Sequence, residues 1–152
     1  MKFDLVVYGA TGFTGRLVCA YLQQRQAQGS EFSWAMAGRS LAKLEALRDA
    51  IGATDIPLLL GDASDAASLA SLVTQTRIVI SVAGPYQLFG TELLAACAAY
   101  GTDYIDICGE PLWMREMIDR YEETTKTSGA RILLSCGFDS IPAELGVFLC
   151  QQ

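Results

Sequence analysis

The run Phe3 to Tyr8 (FDLVVY) is rich in apolar, β-branched and aromatic residues, and it breaks at Gly9. Gly12, Gly15 and a helical pattern follow directly. Strand, glycine turn, helix is the order that most restricts this chain. Gly9 can make a sharp exit from a strand without a Cβ penalty. Gly12 would let the backbone approach a bound group closely, and Gly15 would let the helix pack on the first strand. The first amides of a helix are unpaired donors at the positive end of its dipole, so such a turn suits a dinucleotide pyrophosphate. The spacing is G-x-x-G-x-x-G rather than G-x-G-x-x-G, and a strand-to-helix turn without a ligand is the alternative. The position between strand and helix favours the nucleotide.

Further along, apolar strand-like runs and helical stripes alternate. The spacing predicts a helix over Arg16 to Gln28, a strand over Phe32 to Ala37, and a helix carrying Leu41, Leu44, Leu47 and Ile51. Ile56 to Leu60 reads as the third strand, and a helix with Leu69, Leu72 and Val73 follows, capped by Ser64 or Asp65. Arg77 to Ala83, Tyr104 to Cys108 and Ile132 to Cys136 read as the last three strands. Thr91 to Tyr100, Pro111 to about Ser128 and Ser140 to Leu149 read as the last helices. Six β-α alternations with short loops predict a doubly wound parallel sheet in an α/β/α sandwich, the Rossmann architecture, with strand order 3-2-1-4-5-6. No linker interrupts residues 1–152, so the expectation is one dinucleotide-binding domain.

Composition narrows the partners. A formal charge of −6 argues against a general nucleic-acid binder. Five scattered cysteines with no C-x-x-C pair, and no histidine, make a zinc or iron–sulfur site a poor fit. The cysteines read as small buried residues in a reducing compartment. No signal peptide and no run of transmembrane length is visible, so the expected location is cytoplasmic. Hydrophobic residues make up 51% of the chain and mean hydropathy is +0.28. Either strands buried on both faces or an apolar face awaiting a missing domain accounts for this.

Ligands of such sheets bind beyond the carboxyl ends of the strands, at the switch point between strands 1 and 4. The second strand ends at Arg39-Ser40, where NAD-specific sites place an acid. A guanidinium there suits the 2′-phosphate of NADP, with Ser40 adding a hydroxyl and Lys43 one turn on. A surface arginine beside a helix cap is the alternative. Asp62, after the third strand, could accept from the adenine amine or could cap a helix. Ala83, Gly84 and Pro85, after the fourth, could border the nicotinamide side of the cofactor, or form a plain strand-exit turn. Tyr86 reads more readily as packing than as substrate contact. Asp106 and Glu110 could shape a substrate pocket, although Glu110 also suits a helix start, and Asp139 or Ser140 a helix cap. There is no Tyr-x-x-x-Lys pair, no P-loop and no histidine for a triad.

The segments VVYGATGFTGRLV, AGRS, DYIDICGE and CGFDSIPAELG together resemble the saccharopine dehydrogenase-like oxidoreductases, in the branch that includes the bacterial trans-acting enoyl reductases. Members are considerably longer, with a Rossmann domain followed by an α/β domain that completes the substrate site. The resemblance implies that this chain is the cofactor half of a truncated oxidoreductase, fragment-alone inactive, with NADP in preference to NAD. Hydride transfer would be to or from a C=C, C=N or C=O bond of a small molecule held partly by the missing domain. Gly9, Thr11, Gly12, Phe13 and Gly15 would hold the pyrophosphate, and Arg39 and Ser40 the 2′-phosphate. No catalytic residue is assigned, and self-association is left open. The alternatives are an NADP(H)-sensing module without turnover and a scaffold whose glycine turn is vestigial.

Overall fold

Six runs pair into one all-parallel sheet in the computed structural model of the chain, which describes residues 2–152. The strands are β1 (Phe3–Tyr8), β2 (Trp34–Gly38), β3 (Leu58–Leu60), β4 (Thr76–Ser81), β5 (Asp103–Asp106) and β6 (Ile132–Leu133). Their order is β3-β2-β1-β4-β5-β6, with Tyr8 opposite Ala37 on one side and Ser81 on the other. The helices are α1 (Phe13–Ala27), α2 (Leu41–Ala50), α3 (Ala66–Val73), α4 (Tyr86–Phe89), α5 (Thr91–Tyr100), α6 (Pro111–Ser128) and α7 (Ile141–Cys150). The expected doubly wound α/β fold is therefore what forms.

Strand alternation divides the core in two. Val6 and Tyr8 of β1 face α3, α5 and α6, where Leu69, Leu93, Leu94 and Trp113 meet Val79 and Tyr104. Val7 faces the opposite way, against Cys19 of α1 and Leu44 and Leu47 of α2. Reversal of winding direction between β1 and β4 puts the two helix sets on opposite faces. The second face is filled only over half of the sheet, since neither β5 nor β6 contributes to its core cluster. Ile78, Ile80 and Ile105 stay half-buried there, and Leu133 is exposed. No residue of α7 is buried.

Several boundaries differ from expectation for local reasons. Helix α1 begins at Phe13 rather than Arg16, because the Gly12 amide closes onto the Gly9 carbonyl and the Arg16 amide already bonds Gly12. Strand β6 stops at Leu133 rather than Cys136. Ser135 sits in the left-handed region at φ 61°, and its amide is taken by the Asp106 side chain. Strand β2 begins at Trp34, after Asp4 has captured the Ser33 amide and hydroxyl. Helix α4 forms directly after the exit turn of β4, where no helix is expected. Of the two cap candidates for α3, Asp65 is the one that accepts, from Ala67 and Ser68. Among the described residues no helix is long and apolar enough to cross a membrane.

Candidate functional site: the glycine turn and two clefts at the strand ends

Gly9 leaves β1 at φ +83°, and a Cβ on it would stand 2.9 Å from the Ala83 Cβ. The turn is thus pressed against the exit of β4. A Cβ on Gly15 would run into the Gly9 carbonyl oxygen and come within 2.7 Å of that of Ala10. Gly15 is what lets α1 sit on the turn at all.

The start of α1 is left unfilled by its own chain. Ser40 accepts from the Lys43 amide at the start of α2, and the Asp65 carboxylate from the Ala67 and Ser68 amides at the start of α3. Gly12 has no side chain to cap α1, and no acid lies in its first turn. The amides of Phe13, Thr14 and Gly15 find no acceptor among the described residues. Arg16, a cation where the dipole disfavours one, donates its Nε to the Thr11 carbonyl at 3.1 Å. Arg16 and Lys43 border a shallow hollow with Thr11 and Gly12. Unpaired donors, an unopposed dipole and two cations fit a bound anion.

A cleft of about 210 Å³ opens beside this start. It brings together Gly9, Thr11, Gly12, Arg39, Ala83 and Gly84 of the expected residues. The other expected residues lie around it. Phe13 is 85% exposed and does not line the cleft. Gly15 is buried beneath, Ser40 caps α2, and Pro85 starts α4. Asp62 turns inward on its own loop, accepting from the Ser64 amide at 2.9 Å and hydroxyl at 2.7 Å. Those two bonds, with Arg39 nearby, hold its carboxyl below the ordinary range. Ala63, its neighbour, lines the cleft instead, as do Tyr8, Gly38, Val82 and Phe89. Four of these five are chain neighbours of expected residues. Phe89 is not, and nothing local in the sequence marks it. Arg39 has no carboxylate within 4.0 Å among the described residues, and its guanidinium carbon lies 6.0 Å from the centroid of the Phe89 ring.

A second cleft, about 310 Å³, lies where the ends of β5 and β6 meet Thr14 of α1. Cys108, Ser135, Asp139 and Ser140 line it. Beneath it Asp106, 2% exposed, accepts from the Cys108 amide at 3.0 Å, the Ser135 amide at 2.8 Å and the Tyr104 hydroxyl at 3.1 Å. Burial outweighs these bonds and raises its pKa. Burial also pushes the Cys108 thiol up to about 11 and raises Tyr86, whose hydroxyl donates to the Ser81 carbonyl at 2.9 Å. The Glu110 carboxylate accepts the Tyr86 amide at 2.7 Å and the Gln87 amide at 2.9 Å. Asp106 is therefore a brace between two loops, and Glu110 a clamp on α4. The Ser140 hydroxyl pairs with that of Ser135 at 2.9 Å rather than capping α7. A larger apolar cavity, lined by Leu94, Met117, Tyr121 and Ile132 among others, shares no residue with either cleft.

The family model described as the saccharopine dehydrogenase NADP binding domain matches residues 5–133. A trans-acting enoyl reductase of Mycobacterium ulcerans (strain Agy99) is 45% identical over 148 residues, covering 96% of this chain and 35% of that protein. A trans-acting enoyl reductase of Mycobacterium tuberculosis (strain ATCC 25618 / H37Rv) is 44% identical over 149 residues, covering 97% of this chain and 35% of that protein. The chain thus spans about a third of the length of these relatives. Among solved structures, the apo saccharopine dehydrogenase (L-Glu forming) of Saccharomyces cerevisiae aligns with a TM-score of 0.69 at 20% identity, covering 90% of this chain and 28% of that one. The leucoanthocyanidin reductase–NADPH complex of Vitis vinifera aligns at 0.60 and 17% identity, covering 86% and 48%. These last two similarities concern the fold.

Proposed function

The chain belongs to the saccharopine dehydrogenase NADP-binding-domain family, with NADP as its cofactor, and from that premise we propose that it is the cofactor-holding domain of a longer oxidoreductase. The observation that carries the reading is the uncapped start of α1 opening onto the same cleft as Arg39, a guanidinium without a carboxylate partner. NADPH supplies a hydride from its nicotinamide ring, and the names of the relatives favour the C=C bond of an enoyl group as acceptor. The amides of Phe13, Thr14 and Gly15 hold the pyrophosphate, with Gly9 and Gly12 bringing the backbone close and the Thr11 hydroxyl at the edge. Arg39 and Ser40 would hold the 2′-phosphate, with Ala63, next to the inward-turned Asp62, lining the cleft beside them. Ala83, Gly84 and Pro85 border the cofactor along the exit of β4, and the cleft at Cys108 and Ser135 receives the nicotinamide end.

The acid–base step belongs elsewhere. Cys108 stays a thiol at neutral pH, the Tyr86 hydroxyl is committed to Ser81, and Asp106 is sealed under its loops. The substrate walls and the proton donor are then supplied by the further length that the relatives possess. The same commitments also favour, as a second reading, an NADP(H)-sensing module. Steady NADPH oxidation by the longer protein over a panel of enoyl and imine substrates separates the two.

Calorimetric titration of the chain with NADPH and NADH tests the cofactor site. Arg39→Ala should weaken NADPH by about 10-fold or more, the scale of a charge-assisted hydrogen bond, and leave NADH unchanged. Equal losses for both coenzymes would remove Arg39 from the 2′-phosphate.

A further inference from the structure

Helix α4 carries a single exposed aromatic to the mouth of the first cleft, and it is rigidly held there. At its start the Tyr86 and Gln87 amides are both taken by Glu110. The Tyr86 ring is buried against Trp113, with centroids 5.6 Å apart. At its end Gly90 packs so closely that a Cβ would come within 2.9 Å of the Trp113 ring. The Phe89 amide bonds back to the Pro85 carbonyl at 3.1 Å. Anchored in this way, Phe89 is not buried in the core; 40% of it stays exposed, lining the cleft opposite Arg39. An apolar ring left open at a polar cleft needs a reason, and the Arg39 guanidinium over its face supplies one. The attraction between a cation and an aromatic face holds the guanidinium over the ring and leaves its N–H fork free.

We propose that Phe89 is the platform that orients Arg39 toward the 2′-phosphate, so that α4, clamped by Glu110, sets the preference for NADP(H) over NAD(H). The inference rests on the reading that the first cleft receives the phosphorylated adenosine end of the cofactor. Phe89 is a positioning residue in this scheme: it acts on the ligand through Arg39. It accounts for the link between two segments that are distant in the chain, the AGRS turn after β2 and the DYIDICGE segment that ends in Glu110.

The test is calorimetry on the purified chain with adenosine 2′,5′-bisphosphate, 5′-AMP, NADPH and NADH. Phe89→Ala and Phe89→Leu should each weaken adenosine 2′,5′-bisphosphate and NADPH by about two- to fivefold, the scale of an exposed cation–π contact, and leave 5′-AMP and NADH unchanged. Phe89→Tyr should restore wild-type values. In an Arg39→Ala background, Phe89→Ala should have no further effect on the bisphosphate. Wild-type behaviour of Phe89→Leu would overturn the proposal, because bulk alone would then suffice. So would equal losses with and without the 2′-phosphate, or additive losses with Arg39→Ala. If the wild-type chain binds adenosine 2′,5′-bisphosphate no better than 5′-AMP, the underlying reading of the cleft fails, and the platform with it. Tight wild-type binding that Phe89 variants do not alter overturns the platform alone.

Discussion

Gly15 and Gly29 both stand at the boundaries of α1, yet different constraints hold them. Gly29 lies at φ +91° with nothing within 4 Å of where a Cβ would be. Gly15 has no such backbone demand and is instead walled in by the carbonyls of Gly9 and Ala10. Backbone carbonyls of a tight turn cannot give way as a flexible side chain can. Gly15→Ala should therefore destabilise the chain by about 3 kcal/mol or more, the upper end of overpacking costs. Gly29→Ala should cost about 1–2 kcal/mol, the strain of one left-handed residue. Urea unfolding measures both, and equal losses would contradict the steric account. The residue scale also shows where local reasoning stops. The spacing of Gly9, Gly12 and Gly15 was readable because strand, turn and helix are contiguous. The partners of Glu110 were not, because its carboxylate reaches back to amides 23 and 24 residues earlier.

At the scale of elements, the link between β5 and β6 responds to pH. Arg131 donates its backbone amide at 2.9 Å and its Nε at 3.0 Å to the Asp103 carboxylate. The guanidinium bond chiefly, with the backbone bond and the positive charge, holds the Asp103 pKa below its ordinary value of 3.8. The unfolded chain then takes up this proton first as pH falls. The stability gained is present above the unfolded pKa and is lost as pH drops through the lower folded one. Asp103→Asn should cost about 0.5–1 kcal/mol near neutral pH, the scale of an ion pair whose cation stays in solvent. Melts across the acid range should show wild type and variant drawing together from the ordinary carboxylate pKa downward and converging below the lowered Asp103 pKa, and a gap that does not narrow over that range would contradict the assignment. Helix α4 illustrates the opposite kind of element. Its four residues carry no helical stripe to detect, and it forms because Glu110 and Trp113 hold it from outside.

For the whole molecule, the imbalance between the two faces of the sheet is the main feature. A parallel sheet is ordinarily covered on both sides, and here β4, β5 and β6 are covered on one. The high apolar content divides accordingly: part fills the two core clusters, and part remains open on this half-face and along α7. Leu145 is 55% exposed and Phe148 56%, and neither packs into a core cluster. Replacing both with serine should change the melting temperature of this chain by about 1 °C or less, as surface substitutions do. A large drop would mean that α7 stabilises the sheet after all.

The amino-acid sequence by itself determined the α/β alternation, the strand order, the sharp exit at Gly9 and the cation at the end of β2. These follow from periodicity and turn chemistry within a few neighbouring residues, and from the one handedness that parallel connections adopt. Only the tertiary structure decided that Asp62 bonds its own loop, that Asp106 and Glu110 are braces, and that Phe89 lies beneath Arg39. Those outcomes depend on which strand ends meet in space, and hydrogen-bond competition there is settled by distance and burial rather than by residue type.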